Sequence, residues 1–159
     1  MLRLLWLSLL VVVLDQWSKH WIVANFREYE VLTVWPVFNL TLVYNTGAAF
    51  SFLSDAGGWQ RWFFVTVAVL VSLVMVVWLS RLQPRERWTG LGLALVVGGA
   101  VGNLIDRIVL GKVVDFLQWH WQDWSWPSFN LADSAITLGV VLLLIDGLFG
   151  ERPQEEENS

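Results

Sequence analysis

The sequence predicts a mainly α-helical membrane protein with four transmembrane helices and a small β-sheet outside the bilayer. The chain has 159 residues, of which 56% are hydrophobic and only 15% are charged. The apolar residues come in long blocks, and a block of about 20 residues is what a helix needs to cross the hydrocarbon core. Membrane β-strands are shorter and alternate in polarity, so these blocks are typical of helices.

Four segments have the required length, and we expect them to form one integral membrane domain over residues 1–150. The predicted spans are about 4–24, 59–79, 88–105 and 131–149. The first span reaches its full length only by including Asp15 and Lys19. It could be a signal peptide, but no small-x-small cleavage pattern follows it, so we interpret it as an uncleaved span.

Arginine and lysine residues in short loops predict the orientation of the spans. Segment 80–87, between the second and third spans, is rich in arginine and should therefore be cytoplasmic. Four spans then place both termini in the cytoplasm and the connections 25–58 and 106–130 on the outer side. The acidic tail, 151–159, is expected to be disordered.

The first outer connection has the composition of a small β-sheet. The segments "YEVLTVW" and "FNLTLVYNTGAAFSF" are rich in β-branched and aromatic residues, and Asn45-Thr46-Gly47 is a turn signal. Most of the 12 tryptophans lie at or near the outer boundary. Indole rings prefer the lipid headgroup region, so this surface is interpreted as an aromatic belt that can also serve as a platform for a substrate.

Polar side chains in or beside the spans gather in one layer near the outer surface. This layer contains Asp15, Lys19, Asn45, Asn103, Asp106, Arg107, Asp115, Asn130 and Asp133. A charge inside the bilayer costs about 2.5–3.5 kcal/mol on insertion scales, so such residues are usually paired, exposed to water or functional. The layer therefore predicts a polar site close to the outer face. Asp146 is an exception, because it belongs to the inner end of the fourth span.

Several of these residues also have a structural interpretation. Asp15 and Lys19 have i, i+4 spacing and can pair along one helix face. Asp106 and Arg107 are neighbours on different faces, and we expect them to pair across helices. A carboxylate near a helix start interacts favourably with the helix dipole, so Asp133 could have that role alone.

The third predicted span contains a small-residue motif. Gly98 and Gly102 form a G-x-x-x-G pattern, with Gly99 beside it. This pattern is typical of close helix packing. A path for the backbone of a substrate is the alternative interpretation.

The residue types limit the chemistry that such a site can perform. The sequence has no cysteine, and its two histidines, His20 and His120, are too few for a typical zinc site. No serine lies in a nucleophile-elbow motif. Two carboxylates that share a proton can activate water by general acid and base catalysis, without a metal or cofactor. The candidates are Asp15, Asp106, Asp115 and Asp133.

Five short motifs together resemble a known family. They are "DQWSK" (15–19), "NTGAAFS" (45–51), "GGAVGNLIDR" (98–107), "VVDF" (113–116) and "FNLADSAI" (129–136). Their order and spacing on four spans resemble those of the bacterial lipoprotein signal peptidases, or signal peptidase II. Each motif alone is weakly specific, whereas five in order are highly specific.

The resemblance implies an aspartic endopeptidase of the bacterial inner membrane, with its active site near the periplasmic face. Such an enzyme cuts the signal peptide from a prolipoprotein just before a diacylglyceryl-modified cysteine. Asp115 and Asp133 match the catalytic residues of the family. The positions that would line or support the site are Asp15, Lys19, Asn45, Gly47, Gly99, Asn103, Asp106, Arg107, Asn130 and Ala132.

The resemblance also implies a short helix lying on the membrane. The sequence has no basic patch that would suggest nucleic acid, and acid–base hydrolysis by two carboxylates needs no metal or cofactor. We expect contact with membrane lipids. We expect a monomer. The Trp-rich segment 117–126 and the stretch 48–52 are expected to clamp the substrate. Without the five motifs, the polar layer fits a small ion- or proton-coupled transporter about as well, and a non-enzymatic assembly protein is a third interpretation.

Overall fold

A computed structural model of the protein describes residues 1–47, 58–122 and 124–149. In chain order its elements are α1 (Leu5–Asn25), β1 (Val31–Trp35), β2 (Phe38–Asn45), α2 (Trp59–Arg81), α3 (Arg87–Val109), β3 (Val113–Trp121), β4 (Trp124–Ser125) and α4 (Leu131–Phe149). A 3-10 turn, Leu2–Leu4, precedes α1. The prediction of a mainly helical protein with a small sheet is confirmed.

Three helices in the described part of the chain are long and apolar enough to cross a membrane: α2, α3 and α4. Helix α1 has 21 residues and contains Asp15 and Lys19, and it is not one of these three helices. The short helix expected to lie on the membrane is not among the described elements and stays a prediction. The predicted clamp segment 48–52 lies outside the described residues.

Helix α3 lies at the centre of the bundle, where it contacts α1, α2 and α4. It runs to Val109, so Asp106 and Arg107 belong to its last turn and not to the following connection. The helix is rich in glycine, and its neighbours approach the glycine positions closely. A methyl group built on Gly98 would lie 2.9 Å from the carbonyl oxygen of Ser8 on α1. The close packing that the G-x-x-x-G motif predicts is therefore confirmed.

The sheet joins the two outer connections. Its strand order is β1-β2-β3-β4, and every neighbouring pair is antiparallel. Strands β1 and β2 occupy the predicted segments, whereas β3 comes from the second connection, for which no strand was predicted. Pairing of β2 with β3 places Asp115 opposite Val43 and Val113 opposite Asn45. The sheet thereby brings Asn45 close to Asp115.

Replacing Gly99 with alanine should destabilise the helix bundle. A methyl group at this position would overlap the main-chain carbonyl oxygen of Ala132, which belongs to α4 and cannot rotate away. We expect a loss of about 1–3 kcal/mol in the free energy of unfolding, as overpacked cores show. Thermal unfolding in detergent micelles will measure it. Gly147→Ala is the matched control, since nothing lies within 4 Å of that position. Equal stability of the two variants would contradict the prediction.

Candidate active site

Asn130 and Asp133 cap the start of α4 reciprocally. The main-chain N–H of Asp133 donates to Oδ1 of Asn130 at 2.9 Å. In return, the main-chain N–H of Asn130 donates to Oδ2 of Asp133 at 3.2 Å. This is the geometry of a capping box, with amide and carboxylate in place of the usual hydroxyl and glutamate. Oδ2 of Asp133 therefore has the role at the helix start that the sequence offered as one interpretation of this residue.

The second oxygen of Asp133 belongs to a different contact. Oδ1 accepts a hydrogen bond from Nδ2 of Asn103 on α3 at 2.8 Å. Oδ1 of Asn103 in turn accepts from Nδ2 of Asn130 at 3.1 Å. The same Nδ2 of Asn130 lies 2.8 Å from Oδ1 of Asp115 on β3. The two asparagines therefore connect the two aspartates through one chain of hydrogen bonds.

Asp115 is buried, with only 3% of its surface exposed. Its Oδ2 accepts a hydrogen bond from Nδ2 of Asn45 at 3.1 Å. Burial, followed by the negative charge of Asp133, raises the pKa of Asp115 from 3.8 to about 7. The hydrogen bonds from Asn45 and Asn130 oppose this rise, because they favour the ionised form. Asp115 therefore keeps its proton up to near-neutral pH.

Lys19 holds the centre of a buried charge cluster behind the two aspartates. Its Nζ lies 2.8 Å from Oδ2 of Asp15 and 3.0 Å from Oδ2 of Asp106. The predicted i, i+4 pair is confirmed. Asp106 on α3 was expected to pair across helices, and its partner is Lys19 on α1. Nζ also donates to Oδ1 of Asn103 at 3.0 Å. An ammonium group can only donate, so this contact fixes the amide of Asn103 with its nitrogen towards Asp133.

The same cluster anchors the residue that precedes each aspartate of the linked pair. Oδ2 of Asp106 accepts from the main-chain N–H of Val114, next to Asp115, at 3.0 Å. Oδ1 of Asp15 accepts from the main-chain N–H of Ala132, next to Asp133, at 2.9 Å. One carboxylate thus fixes β3 and the other fixes the start of α4. Because Lys19 pairs with both carboxylates, the cluster holds β3 and the start of α4 in fixed positions relative to each other.

Gln16 belongs to this cluster, although the sequence did not single it out. Its Nε2 donates to Oδ1 of Asp106 at 2.9 Å and to the carbonyl oxygen of Gly102 at 3.2 Å. The cluster contains two carboxylates and one ammonium, so an extra donor helps to satisfy the second carboxylate. The position of Gln16 inside the "DQWSK" motif was the one available signal.

Arg107 connects α3 to two other elements. Its guanidinium group donates to the carbonyl oxygens of Asn103 and Gly47, both at 3.3 Å. The guanidinium carbon lies 5.2 Å from the centre of the Phe64 ring on α2. Both ion pairs in the described part of the chain involve Lys19, so the structure shows no carboxylate partner for Arg107 there. Arg107 instead fixes the turn after β2 against the helices.

A cavity of about 730 Å³ opens beside the two aspartates. Six of the predicted site residues line it: Asn45, Gly47, Asn103, Arg107, Asp115 and Asp133. The other six lie behind it, in the charge cluster or the helix interface: Asp15, Lys19, Gly99, Asp106, Asn130 and Ala132. Trp119, Trp126, Phe129 and Leu138 supply apolar surface to the same cavity. The cavity therefore combines a polar floor with an apolar rim.

Comparison with known proteins identifies the family. The family model for signal peptidase (SPase) II matches residues 7–149. The chain belongs to the signal peptidase II family. The lipoprotein signal peptidase of Pseudomonas aeruginosa (strain UCBPP-PA14) is 57% identical over 144 residues, which cover 89% of this chain and 85% of that protein. That of Pseudoalteromonas atlantica (strain T6c / ATCC BAA-1087) is 52% identical over 145 residues, covering 91% and 88%.

A solved bacterial membrane enzyme structure has the same fold. It superposes with a TM-score of 0.84 at 29% sequence identity, covering 96% of this chain and 93% of the other. As a member of the signal peptidase II family, this chain is a bacterial membrane peptidase. Peptidases of this class hydrolyse a peptide bond, which requires a group that activates water or a nucleophile. Neither His20 nor His120 lines the cavity, whereas the carboxylates of Asp115 and Asp133 do.

Proposed function

We propose that this protein is an aspartic endopeptidase that removes signal peptides from diacylglyceryl-modified prolipoproteins, with Asp115 and Asp133 as its catalytic pair. The observation that carries the proposal is their convergence from β3 and α4 on one cavity, linked through Asn103 and Asn130. Burial and the negative charge of Asp133 together raise the pKa of Asp115, so one carboxyl of the proposed pair can hold a proton while the other is ionised.

The proposed reaction uses one water and no cofactor. Asp133, in its ionised form, takes a proton from water, and the water oxygen forms a bond to the carbonyl carbon of the peptide. Asp115, which keeps its proton up to near-neutral pH, hydrogen-bonds the carbonyl oxygen as negative charge develops there. The tetrahedral intermediate collapses when the proton on Asp133 passes to the leaving nitrogen and the C–N bond breaks.

The apolar rim of the cavity supports a lipid-modified substrate. Trp119, Trp126, Phe129 and Leu138 offer surface on which acyl chains can pack. The relatives named above are lipoprotein signal peptidases, which agrees with such a substrate. We place the cleaved bond just before the lipidated cysteine. The acyl chains then remain in the bilayer while the bond lies at the depth of the aspartates.

We also propose that α1 is a fourth span. Its charged residues are not exposed to lipid, since Asp15 and Lys19 are buried against α3 and α4. With four spans and an arginine-rich loop between α2 and α3, both termini lie in the cytoplasm. The cavity then lies near the periplasmic face of the inner membrane, where the protein acts as a monomer among lipids.

The lipid requirement can be tested with one precursor in two forms. Purified protein in detergent should cleave the diacylglyceryl-modified form and leave the unmodified form intact. Mass spectrometry should identify the lipidated cysteine as the new N-terminus. Equal cleavage of both forms would contradict the proposed substrate. Proton or ion flux in proteoliposomes, without cleavage of the modified form, would support the transporter interpretation instead.

The pH dependence of cleavage should report on Asp115. A raised pKa means that the folded protein keeps this proton up to about pH 7, so the acid function is present below that pH and lost above it. We expect kcat/KM to fall about tenfold per pH unit well above the midpoint. The measurement is a pH–rate profile in detergent with the modified precursor. A profile that stays flat through neutral and alkaline pH would contradict the assignment.

A further inference from the structure

A second cavity lies at the end of the bundle remote from the aspartates. It has a volume of about 280 Å³ and is lined by Met1, Arg3, Leu4, Arg87 and Leu91. Arg87 begins α3, whereas Asp106 lies near its end. At 1.5 Å per residue, the two positions are roughly 28 Å apart along the helix. This cavity is therefore separate from the catalytic one.

Close packing of the 3-10 turn against α3 forms this cavity. A methyl group built on Gly90 would lie 2.8 Å from Cδ1 of Leu4 and 3.0 Å from Cε of Met1. The glycine therefore lets the turn approach the first residues of α3. As a consequence, Arg3 and Arg87 line the same small space.

Two cations in one cavity repel each other unless an anion lies between them. Glu86 and Asp146, two carboxylates that the structure describes at this end of the bundle, accept hydrogen bonds from other groups. Oε2 of Glu86 accepts from the main-chain N–H of Gln83 at 2.6 Å, and Asp146 accepts from the hydroxyl of Thr89. Within the described ranges, no ion pair involves Arg3 or Arg87. Among residues 1–47, 58–122 and 124–149, the two guanidinium groups of the cavity therefore have no carboxylate partner.

The surroundings of the cavity indicate the depth at which it lies in the membrane. Trp88, next to Arg87, has 62% of its surface exposed, and Trp6 on α1 has 60%. Exposed indole rings mark the lipid headgroup region. Leu4 and Leu91 add an apolar floor. An occupant should therefore carry a negative group at headgroup depth and continue into an apolar part.

We propose that Arg3 and Arg87 bind the phosphate of an anionic phospholipid, with its acyl chains running along Leu4 and Leu91. Guanidinium groups match phosphate oxygens in geometry and charge. The N-terminal end of α3 adds the positive end of a helix dipole to the same region. This site would fix the cytoplasmic end of the bundle to the inner leaflet, independently of the reaction at the other end.

Native mass spectrometry of the full chain, titrated with phosphatidylglycerol in detergent, tests the proposal. The variant that combines Arg3→Gln with Arg87→Gln should bind this lipid roughly tenfold more weakly, as expected for lost charge-assisted hydrogen bonds. The matched control combines Arg81→Gln with Arg85→Gln. It removes the same charge at the same end of the bundle but outside the cavity. Its affinity should stay within about twofold of the unmodified protein.

Three outcomes would overturn the proposal. If both double variants lost lipid affinity equally, binding would depend on the overall surface charge and not on this cavity. Equal affinity for phosphatidylcholine would show that net lipid charge is not recognised. Competition by glycerol phosphate at the same concentration as the lipid would make this a site for free phosphate. Because the readout is lipid binding, none of these outcomes depends on the proposed peptidase mechanism.

Discussion

Asp115→Asn and Asp133→Asn will each lower the rate of cleavage of a lipid-modified precursor by roughly a thousandfold or more, since each variant removes one half of the proposed general acid and base pair. An asparagine cannot take a proton from water at position 133, and at position 115 it lacks the acidic proton of a carboxylic acid. The hydrogen bonds from Asn103 and Asn130 would then orient a group without acid–base function. Single-turnover cleavage in detergent, followed by mass spectrometry, measures the effect.

The loss of activity must occur in a folded protein. Ionising Asp115 in the folded state is unfavourable, because its pKa is raised from 3.8 to about 7. The free energy of unfolding therefore falls as pH rises from about 4 to about 7, because the folded protein disfavours the ionised form of Asp115. Asp115→Asn removes this pH dependence. We expect its thermal midpoint at alkaline pH to be no lower than that of the unmodified protein.

Asp146→Asn is the matched control on α4, because Asp146 contacts Thr89 at the other end of the bundle. It makes the same chemical change as the catalytic variants and should retain cleavage activity. Turnover by Asp115→Asn or Asp133→Asn at a rate close to that of this control would rule out the pair.

Lys19→Met should destabilise the protein by about 3–5 kcal/mol, the usual cost of removing one partner from a buried ion pair. Lys19 has only 2% of its surface exposed, and its ammonium group forms ion pairs with both Asp15 and Asp106. Without it, two buried carboxylates would remain beside each other. Thermal unfolding in detergent will measure the loss.

Two further variants distinguish this effect from a simple loss of packing. Lys112→Met removes an ammonium group that lies 3.4 Å from the centre of the Tyr44 ring, which should cost only about 0.5–1 kcal/mol. Adding Asp106→Asn to Lys19→Met should restore part of the lost stability, because a neutral amide needs no buried cation. If the double variant is less stable than Lys19→Met alone, the electrostatic explanation is wrong.

The sequence predicted the parts of the fold that depend on local composition. Helices α2, α3 and α4 follow from apolar blocks, and β1 and β2 follow from runs of β-branched and aromatic residues. Strand β3 was missed because its partner lies far away in the chain: Asn45 and Asp115, which meet across the pair, are 70 positions apart. Nothing in the local pattern of "VVDFLQWHW" reports that partner.

The same distinction applies to the site. The pair formed by Asp15 and Lys19 could be predicted because its i, i+4 spacing is a property of one helix. The ion pair between Lys19 and Asp106 depends on how α1 packs against α3, so it could not be predicted from the spacing of residues along the sequence. Residue chemistry left four candidate acids, and the family resemblance selected Asp115 and Asp133. The convergence of those two on one cavity supports the selection.

The contact between Asp15 and Ala132 bears on how the enzyme matures. These residues are 117 positions apart, so α1 is synthesised long before the helix that supplies this hydrogen-bond partner. Until α4 has been made, Asp133 is absent and the carboxylate of Asp15 lacks the hydrogen bond from the main-chain N–H of Ala132. If Asp133 is catalytic, as proposed, a partly translated chain is inactive, and the peptidase can work only after α4 has been synthesised and has packed against α1.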